Sequence, residues 1–418
     1  MFGPLKLILG RTIKTGHLRL VDADGHTHVF GDGTGSPVVA RIQDKRTERR
    51  LFFNASLAIG EAYMDRRLVL EQGTIYDLLE VLLINASWQR RPGWIQALDT
   101  VRGVALRLQH YNLASRSRRN VAHHYDIDGS LYDLFLDSDR QYSCAYFGED
   151  GQTLEEAQEA KKRHIAAKLH LSDGMRVLDI GSGWGGLALH LAKTAHVDVT
   201  GITLSEEQLK TARDRAAAEG LSKAVRFELC DYRNLEGQFD RIVSVGMFEH
   251  VGSAHYRQFF RQLARLLADR GVALLHSIGQ FDAPTPTNPF IAKYIFPGGY
   301  VPALSEVLPA IEREGLLTTD LEILRLHYAM TLRHWRQRFR AAWHTASEKF
   351  GERFCRMWEM YLASSEAAFR YQKLMVFQLQ LAKDIDALPL TRDYITDHER
   401  DLRARAHRTQ APRSQGSI

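Results

Sequence analysis

The sequence predicts an α/β chain in which a doubly wound parallel sheet follows a smaller N-terminal α+β domain. From Met175 onward, short apolar runs alternate with helical patterns, the rhythm of strands joined by right-handed crossovers with helices on both faces. One run, Val177–Ile180, turns through Gly181, Gly183, Gly185 and Gly186 into a helical stretch, and glycines at a strand end let a loop backbone approach a ligand closely. The first hundred residues lack that alternation. There, Leu18–Val21, His28–Phe30 and Val38–Ile42 are short apolar pieces divided by Asp24-Gly25 and by Gly31 to Gly35, a hairpin rhythm.

The N-terminal domain is expected to span residues 1–94, closing after the apolar helical run Tyr76–Ile84, with a connecting helix over 95–119 that ends in Arg116, Arg118 and Arg119. The larger domain then takes 120–395. Its strands are expected at Met175–Ile180, Val197–Thr203, Val225–Cys230, Phe239–Val245 and Val272–Ile278, and its helices at Leu187–Ala192, Glu206–Ala218 and Tyr256–Leu267. Residues 283–309 are rich in proline and aromatics, and so long an irregular stretch suggests a lid or pocket wall. Beyond it the pattern predicts a strand at Leu321–Leu326, helices at Leu332–Trp343 and Phe354–Ala368, and a strand at Met375–Leu381. The Arg-rich tail, 396–418, is expected to be disordered.

With 418 residues, 44% hydrophobic and 25% charged, the chain has the make-up of a folded globular protein. Its three cysteines are too few and scattered for a disulfide framework or zinc cluster, which points to a reducing, cytoplasmic setting. No run approaches the roughly 18 apolar residues of a membrane span. Any lipid contact is therefore expected to be peripheral, at the inner membrane face, through basic clusters such as Lys45–Arg50. The net charge of +5 would also suit nucleic acid. However, the chain lacks the Asn/Asp-Pro-Pro-aromatic and Pro-Cys motifs of nucleic-acid methylation, so no nucleic-acid partner is expected. A homodimer is left open.

The residue that gives the glycine loop its chemistry is Asp179, two positions before Gly181. A carboxylate there repels a pyrophosphate but attracts the ammonium of an amino-acid cofactor. The Asp-x-Gly-x-Gly-x-Gly form resembles the loop of the seven-stranded, Rossmann-like methyltransferases that use S-adenosylmethionine. In them, an acidic residue ending the third strand holds the adenine; Asp231, followed by Tyr232, stands there. The acidic residue that usually grips the ribose after the second strand is missing, and Thr203 and Gln208 take its place. Ser205 with Gln208 also has the form of a capping box.

Thr203-Leu-Ser-x-x-Gln208 is similar to the form in cyclopropane-fatty-acyl-phospholipid synthases and the mycolic acid cyclopropane synthases. Four further stretches agree: Asn120–Asp126, Gln141–Phe147, Gly246–Gly252 and Ile295–Pro302. The resemblance implies methyl transfer from S-adenosylmethionine to the cis double bond of a phospholipid acyl chain, proton loss to a bound bicarbonate, and ring closure. It implies that Cys144, Glu249, His276, Ile278 and Tyr328 hold the bicarbonate and that Tyr142 and Ser143 touch the cofactor. Where members of the family often carry a cysteine, this chain has Ser365. Two alternatives stay open: a methyl- or methylene-branched product from the same fold, and a lipid-binding protein without activity.

The residues themselves point the same way. Asp179, Glu249 and His276 each follow or end a strand at the carboxyl ends where ligands bind in doubly wound folds. His276, on a strand face with Val272, Leu274 and Ile278, needs a polar partner, and Glu249 is the natural one. Addition to an alkene needs a dry, aromatic-walled chamber, for which Phe290, Tyr294, Phe296 and Tyr300 are the expected walls, opening to an apolar channel.

Overall fold

The computed structural model describes residues 1–85 and 129–410, the side chains of 405–410 excepted. The expected connecting helix, the boundary at 94 and the Asn120–Asp126 motif lie outside the described residues.

The N-terminal unit contains α1 (Gly3–Thr12), β1 (Leu18–Val21), β2 (Thr27–Phe30), β3 (Val38–Ile42), α2 (Lys45–Phe53), α3 (Ala55–Met64), β4 (Leu68–Gln72) and α4 (Ile75–Asn85). Its sheet runs β2-β1-β3-β4. β1 and β2 form the expected hairpin, whereas β3 returns parallel to β1. Asp44 caps α2 by accepting from Thr47 N at 2.8 Å, so the Lys45–Arg50 cluster is helical.

The second unit opens with α5 (Ser130–Asp133) and α6 (Leu154–Lys168), followed by β5 (Arg176–Ile180), α7 (Gly186–Ala195), β6 (Asp198–Thr203), α8 (Glu206–Ala218), β7 (Val225–Leu229), β8 (Phe239–Val245), α9 (Tyr256–Leu266) and β9 (Leu267–Gln280). Then come α10 (Pro289–Tyr294), α11 (Leu304–Arg313), β10 (Leu317–Ile323), α12 (His327–Ala341), α13 (Trp343–Phe350), α14 (Glu352–Tyr371), β11 (Leu374–Ala382) and α15 (Asp393–Gln410). The seven strands run β10-β11-β9-β8-β5-β6-β7. Those from β9 to β7 are parallel, and β11 lies antiparallel to both its neighbours. This is the seven-stranded α/β fold expected of a methyltransferase.

Three findings differ from expectation. The tail does not lose order at 396: α15 continues to Gln410 with Leu402 buried, because it lies on α6. Residues 283–309 are not one irregular lid but carry α10 and the start of α11. Among the described residues, the N-terminal unit shares its core with the second: one apolar cluster runs from Ile13, Leu20 and Leu79 through Phe290 to Trp335, Trp358 and Val376. Hydrogen bonds across the join, such as Tyr63 Oη to Glu359 Oε2 at 2.5 Å, hold α3 against α14.

Candidate active site

β5 and β8 lie side by side while their following connections diverge, which opens a crevice beyond the strand ends. Gly181 turns the chain there at φ +86°, and a Cβ on it would come within 2.9 Å of Met247 Cβ; no other residue type fits without displacement. Gly183, at φ +54°, has open space beside it.

One cavity occupies the crevice. All nine residues expected to hold the cofactor line it: Tyr142, Ser143, Asp179, Gly181, Gly183, Thr203, Gln208, Asp231 and Tyr232. Asp179 is only 2% exposed, and its Oδ2 has no hydrogen-bond partner among the described residues. Burial pushes its carboxyl up to about 7, against the pull of Lys161. An unpartnered buried carboxylate oxygen facing a cavity fits an ammonium group. Thr203 Oγ1 donates to Gln208 Oε1 at 2.9 Å, which leaves the Gln208 amide nitrogen as a donor for a ligand hydroxyl. The capping reading is half right: Ser205 Oγ accepts from Gln208 N at 3.3 Å, but the Gln208 side chain turns to Thr203 instead of closing the box. Asp231 caps the turn at Tyr232–Asn234 and holds Arg233, which also lines the cavity, by paired bonds of 2.9 and 2.6 Å.

Three further cavity residues, Lys161, Arg233 and His250, carry chemistry that the sequence pattern did not single out. Lys161 is 1% exposed, and its Nζ donates to Gln141 Oε1 at 2.7 Å and Ser143 Oγ at 2.8 Å. Burial pushes it down to about 8, opposed by Asp137 and Asp139. It thereby fixes the Gln141–Ser143 segment against α6. The capping-box ends of α6, Thr153 and Glu156, were a readable helix start, but nothing local marks Lys161 as buried. His250, pushed down to about 4 by burial, is neutral.

None of the five residues expected to form the proton-acceptor layer lines this cavity. Glu249 Oε1 accepts from Ile278 N at 2.6 Å. The reason is register: β8 ends at Val245, paired with His276, so the ladder runs out and Ile278 N–H faces the turn that carries Glu249. Glu249 Oε2 is buried without a partner among the described residues, and burial pushes the carboxyl up to about 7. His276 does not pair with Glu249. It sits opposite Gln378 of β11, whose Nε2 lies 3.2 Å from His276 Nδ1, because the β9–β11 register brings the two onto one sheet face. Cys144 is buried with its thiol pushed up and its Sγ bonded to Ala145 O at 3.3 Å, so it stays protonated. Ala145 N donates to Thr331 Oγ1 at 3.0 Å, which anchors the Cys144 segment to the helix turn that bears Tyr328.

The aromatic walls also differ from expectation. Phe296 stands 6.1 Å from the His250 ring and 5.8 Å from Tyr361. Phe290 and Tyr294 face the N-terminal unit, against Gly60 and Glu61, and Tyr300 Oη donates to Glu306 in a separate cluster. The rings beside the layer come from α12 and α14: Tyr142 shares a 2.8 Å hydroxyl bond with Tyr361 and stacks on Trp335, while Tyr328 packs on Trp335 and Phe369. Ser365 is a half-buried position on α14.

Comparison with known proteins matches residues 113–379 to the family model of mycolic acid cyclopropane synthetase. The chain is 38% identical over 354 residues to the cyclopropane-fatty-acyl-phospholipid synthase of Escherichia coli K12, covering 84% of this chain and 89% of that protein. It is 34% identical over 406 residues to the tuberculostearic acid methyltransferase UfaA1 of Mycobacterium tuberculosis, 90% of each. Among solved structures, mycolic acid cyclopropane synthase CmaA1 complexed with SAH and CTAB superposes with a TM-score of 0.60 at 34% identity, over 63% of this chain and 97% of that one.

Proposed function

Because the chain belongs to the mycolic acid cyclopropane synthetase family and is an S-adenosylmethionine-dependent methyltransferase, we propose that it methylates the cis double bond of an unsaturated phospholipid acyl chain and closes the product to a cyclopropane ring. The carrying observation is a pair of buried carboxyls with one unpartnered oxygen each: Asp179 lines the cofactor cavity, and Glu249 meets the end of β9 through Ile278 N.

S-adenosylmethionine, when bound, supplies an electrophilic methyl carbon. Asp179 holds its ammonium, Thr203 and Gln208 its ribose hydroxyls, and Asp231 with Tyr232 its adenine. Lys161 keeps Ser143 and Gln141 seated against that end of the cavity. Tyr142, Trp335, Phe296 and Tyr361 exclude water and present π faces to developing positive charge. The unpartnered Oε2 of Glu249 suits a small protonated oxyanion, and bicarbonate, held also by His276 and Tyr328, would supply a base too constrained to attack carbon. Ile278 acts through Glu249, whose Oε1 its backbone N–H holds, and Cys144 offers no anion because its thiol stays protonated.

Among the described residues, no helix is long and apolar enough to cross a membrane. Access to lipid is assigned to the outer surface of the N-terminal unit, where Lys45, Arg46 and Arg49 of α2 are exposed beside Phe53, and Leu7 and Ile8 of α1 are exposed beside Lys6 and Arg11. Such a face suits peripheral binding to anionic lipid.

The test is to incubate the protein with S-adenosylmethionine and vesicles of cis-unsaturated phospholipid. Lipid that gains one CH₂ and shows cyclopropane proton resonances supports the proposal. A methyl or methylene branch, the product class suggested by the similarity to UfaA1, overturns ring closure in favour of that second reading. Unchanged lipid overturns both.

A further inference from the structure

His276 of β9 stands opposite Gln378 of β11. The His276 carbonyl accepts from Gly246 N at 2.9 Å, so its backbone groups face β8. The His276–Gln378 pair is therefore the close, non-hydrogen-bonded kind whose side chains meet on one face. There Gln378 Nε2 lies 3.2 Å from His276 Nδ1, while Gln378 Oε1 is buried without a partner among the described residues. Turning the amide over would place Oε1 on the ring and orphan an NH₂ with two donors. A buried donor without a partner is the rarer defect, so the arrangement with nitrogen on Nδ1 is favoured. An Nδ1 that accepts carries no proton, and a neutral imidazole then carries its proton on Nε2. His276 makes no other hydrogen bond among the described residues, which leaves that Nε2–H for a ligand.

We propose that Gln378 is a positioning residue that locks His276 in the neutral Nε2–H tautomer, so that His276 serves the site as a fixed hydrogen-bond donor and never as its proton acceptor. The surroundings agree. Burial pushes the ring down to about 3, helped by Lys161, Lys168 and His164 of α6, with Glu322 of β10 opposing them more weakly. Glu249, the nearby carboxyl on the β8 side, spends its bonded oxygen on Ile278 N and offers the ring no counter-charge. The donor role rests on the function proposed above; the tautomer does not, because it follows from the sheet register and the orientation of the Gln378 amide.

The tautomer is read first, by nitrogen-15 NMR of the ligand-free protein, with His276→Gln to assign the ring signals. From pH 6 to 9, Nδ1 should show an unprotonated shift and Nε2 a protonated one; a protonated Nδ1 overturns the lock. Gln378→Glu then places an acceptor on Nδ1. It should move the proton there, and turnover at pH 8 should fall roughly tenfold or more with the KM for S-adenosylmethionine within about twofold. Activity should partly return as the pH falls and Nε2 regains a proton. Gln378→Leu, which offers no acceptor, should show no such new ionisation, and its melting temperature separates misfolding from the tautomer effect. If NMR finds the tautomer moved by Gln378→Glu while turnover and pH profile are unchanged, the lock stands and the donor role is overturned.

Discussion

Replacing Asp179 with Asn separates what this carboxyl does for the cofactor from what it costs the fold. Its pKa rises from 3.8 in the unfolded chain to about 7 in the ligand-free protein, driven by burial. A carboxyl raised in this way leaves the fold most stable below its unfolded pKa, and stability is lost as the pH climbs from about 4 to about 7. At 1.4 kcal/mol per unit, the ionisation penalty is about 1.6 kcal/mol at pH 5 and about 4 kcal/mol at pH 8. Asn carries no such penalty. The unfolding free energy of Asp179→Asn relative to the wild type should therefore rise by about 2–3 kcal/mol between pH 5 and pH 8. Urea unfolding of both proteins without cofactor measures this. Calorimetry at pH 8 should show S-adenosylmethionine binding weakened by roughly tenfold to a hundredfold, the worth of one charge-assisted bond. Unfolding free energies that stay parallel across the pH range, together with unchanged binding, would refute the assignment of this carboxyl.

The same pKa predicts that wild-type affinity for S-adenosylmethionine rises with pH by up to about tenfold per unit below 7 and then levels off, which calorimetry over pH 5.5–8.5 checks. Glu249→Gln and Tyr328→Phe should each lower turnover by about a hundredfold or more while cofactor affinity stays within about twofold; full activity in either removes the proton-acceptor layer. His164 is held between Glu322 Oε2 at 2.7 Å and Glu399 Oε2 at 3.2 Å, and these partners raise its pKa against the effect of burial. The stability this adds is fully present below the unfolded pKa of 6.5 and is lost as the pH rises through the folded value. Hydrogen exchange along α15 should therefore quicken with rising pH beyond its intrinsic dependence, and Glu399→Gln should remove the excess. Reversing the charges of Arg46 and Arg49 should weaken binding to anionic vesicles by roughly 2 kcal/mol per residue, since each reversal changes two units of charge, an effect that fades in high salt.

The parts of the site that were legible in the sequence are those built from consecutive residues. A strand that ends in glycines, with an acid two places earlier, declares the Asp179 loop without tertiary information, and the same holds for Thr203–Gln208 and for Asp231. The proton-acceptor layer was legible only through resemblance, and its internal bonding was not. That Glu249 meets Ile278 N–H depends on where β8 stops, and that His276 meets Gln378 depends on a register between strands about a hundred residues apart. α6 was the hardest to read. Gln158, Lys161, His164 and Lys168 are buried there because their partners, Ser143, Asp320 and Glu322 of β10, and Glu399, arrive from three distant segments. A polar helix face reads as solvated until those partners are known. The same dependence hid α15, whose charge-rich sequence is ordered by packing on α6.

The central claim is that a carbon–carbon double bond takes the transferred carbon and that the new carbon then gives up a proton and closes the ring. The direct measurement uses S-adenosylmethionine with a trideuterated methyl group and vesicles of oleoyl phospholipid, followed by mass and proton NMR analysis of the acyl chains. The account predicts a bridging carbon with two deuteriums and high-field ring-proton signals from the flanking carbons. A methyl carbon with all three deuteriums, an exocyclic methylene, or label found only outside the acyl chain would contradict it.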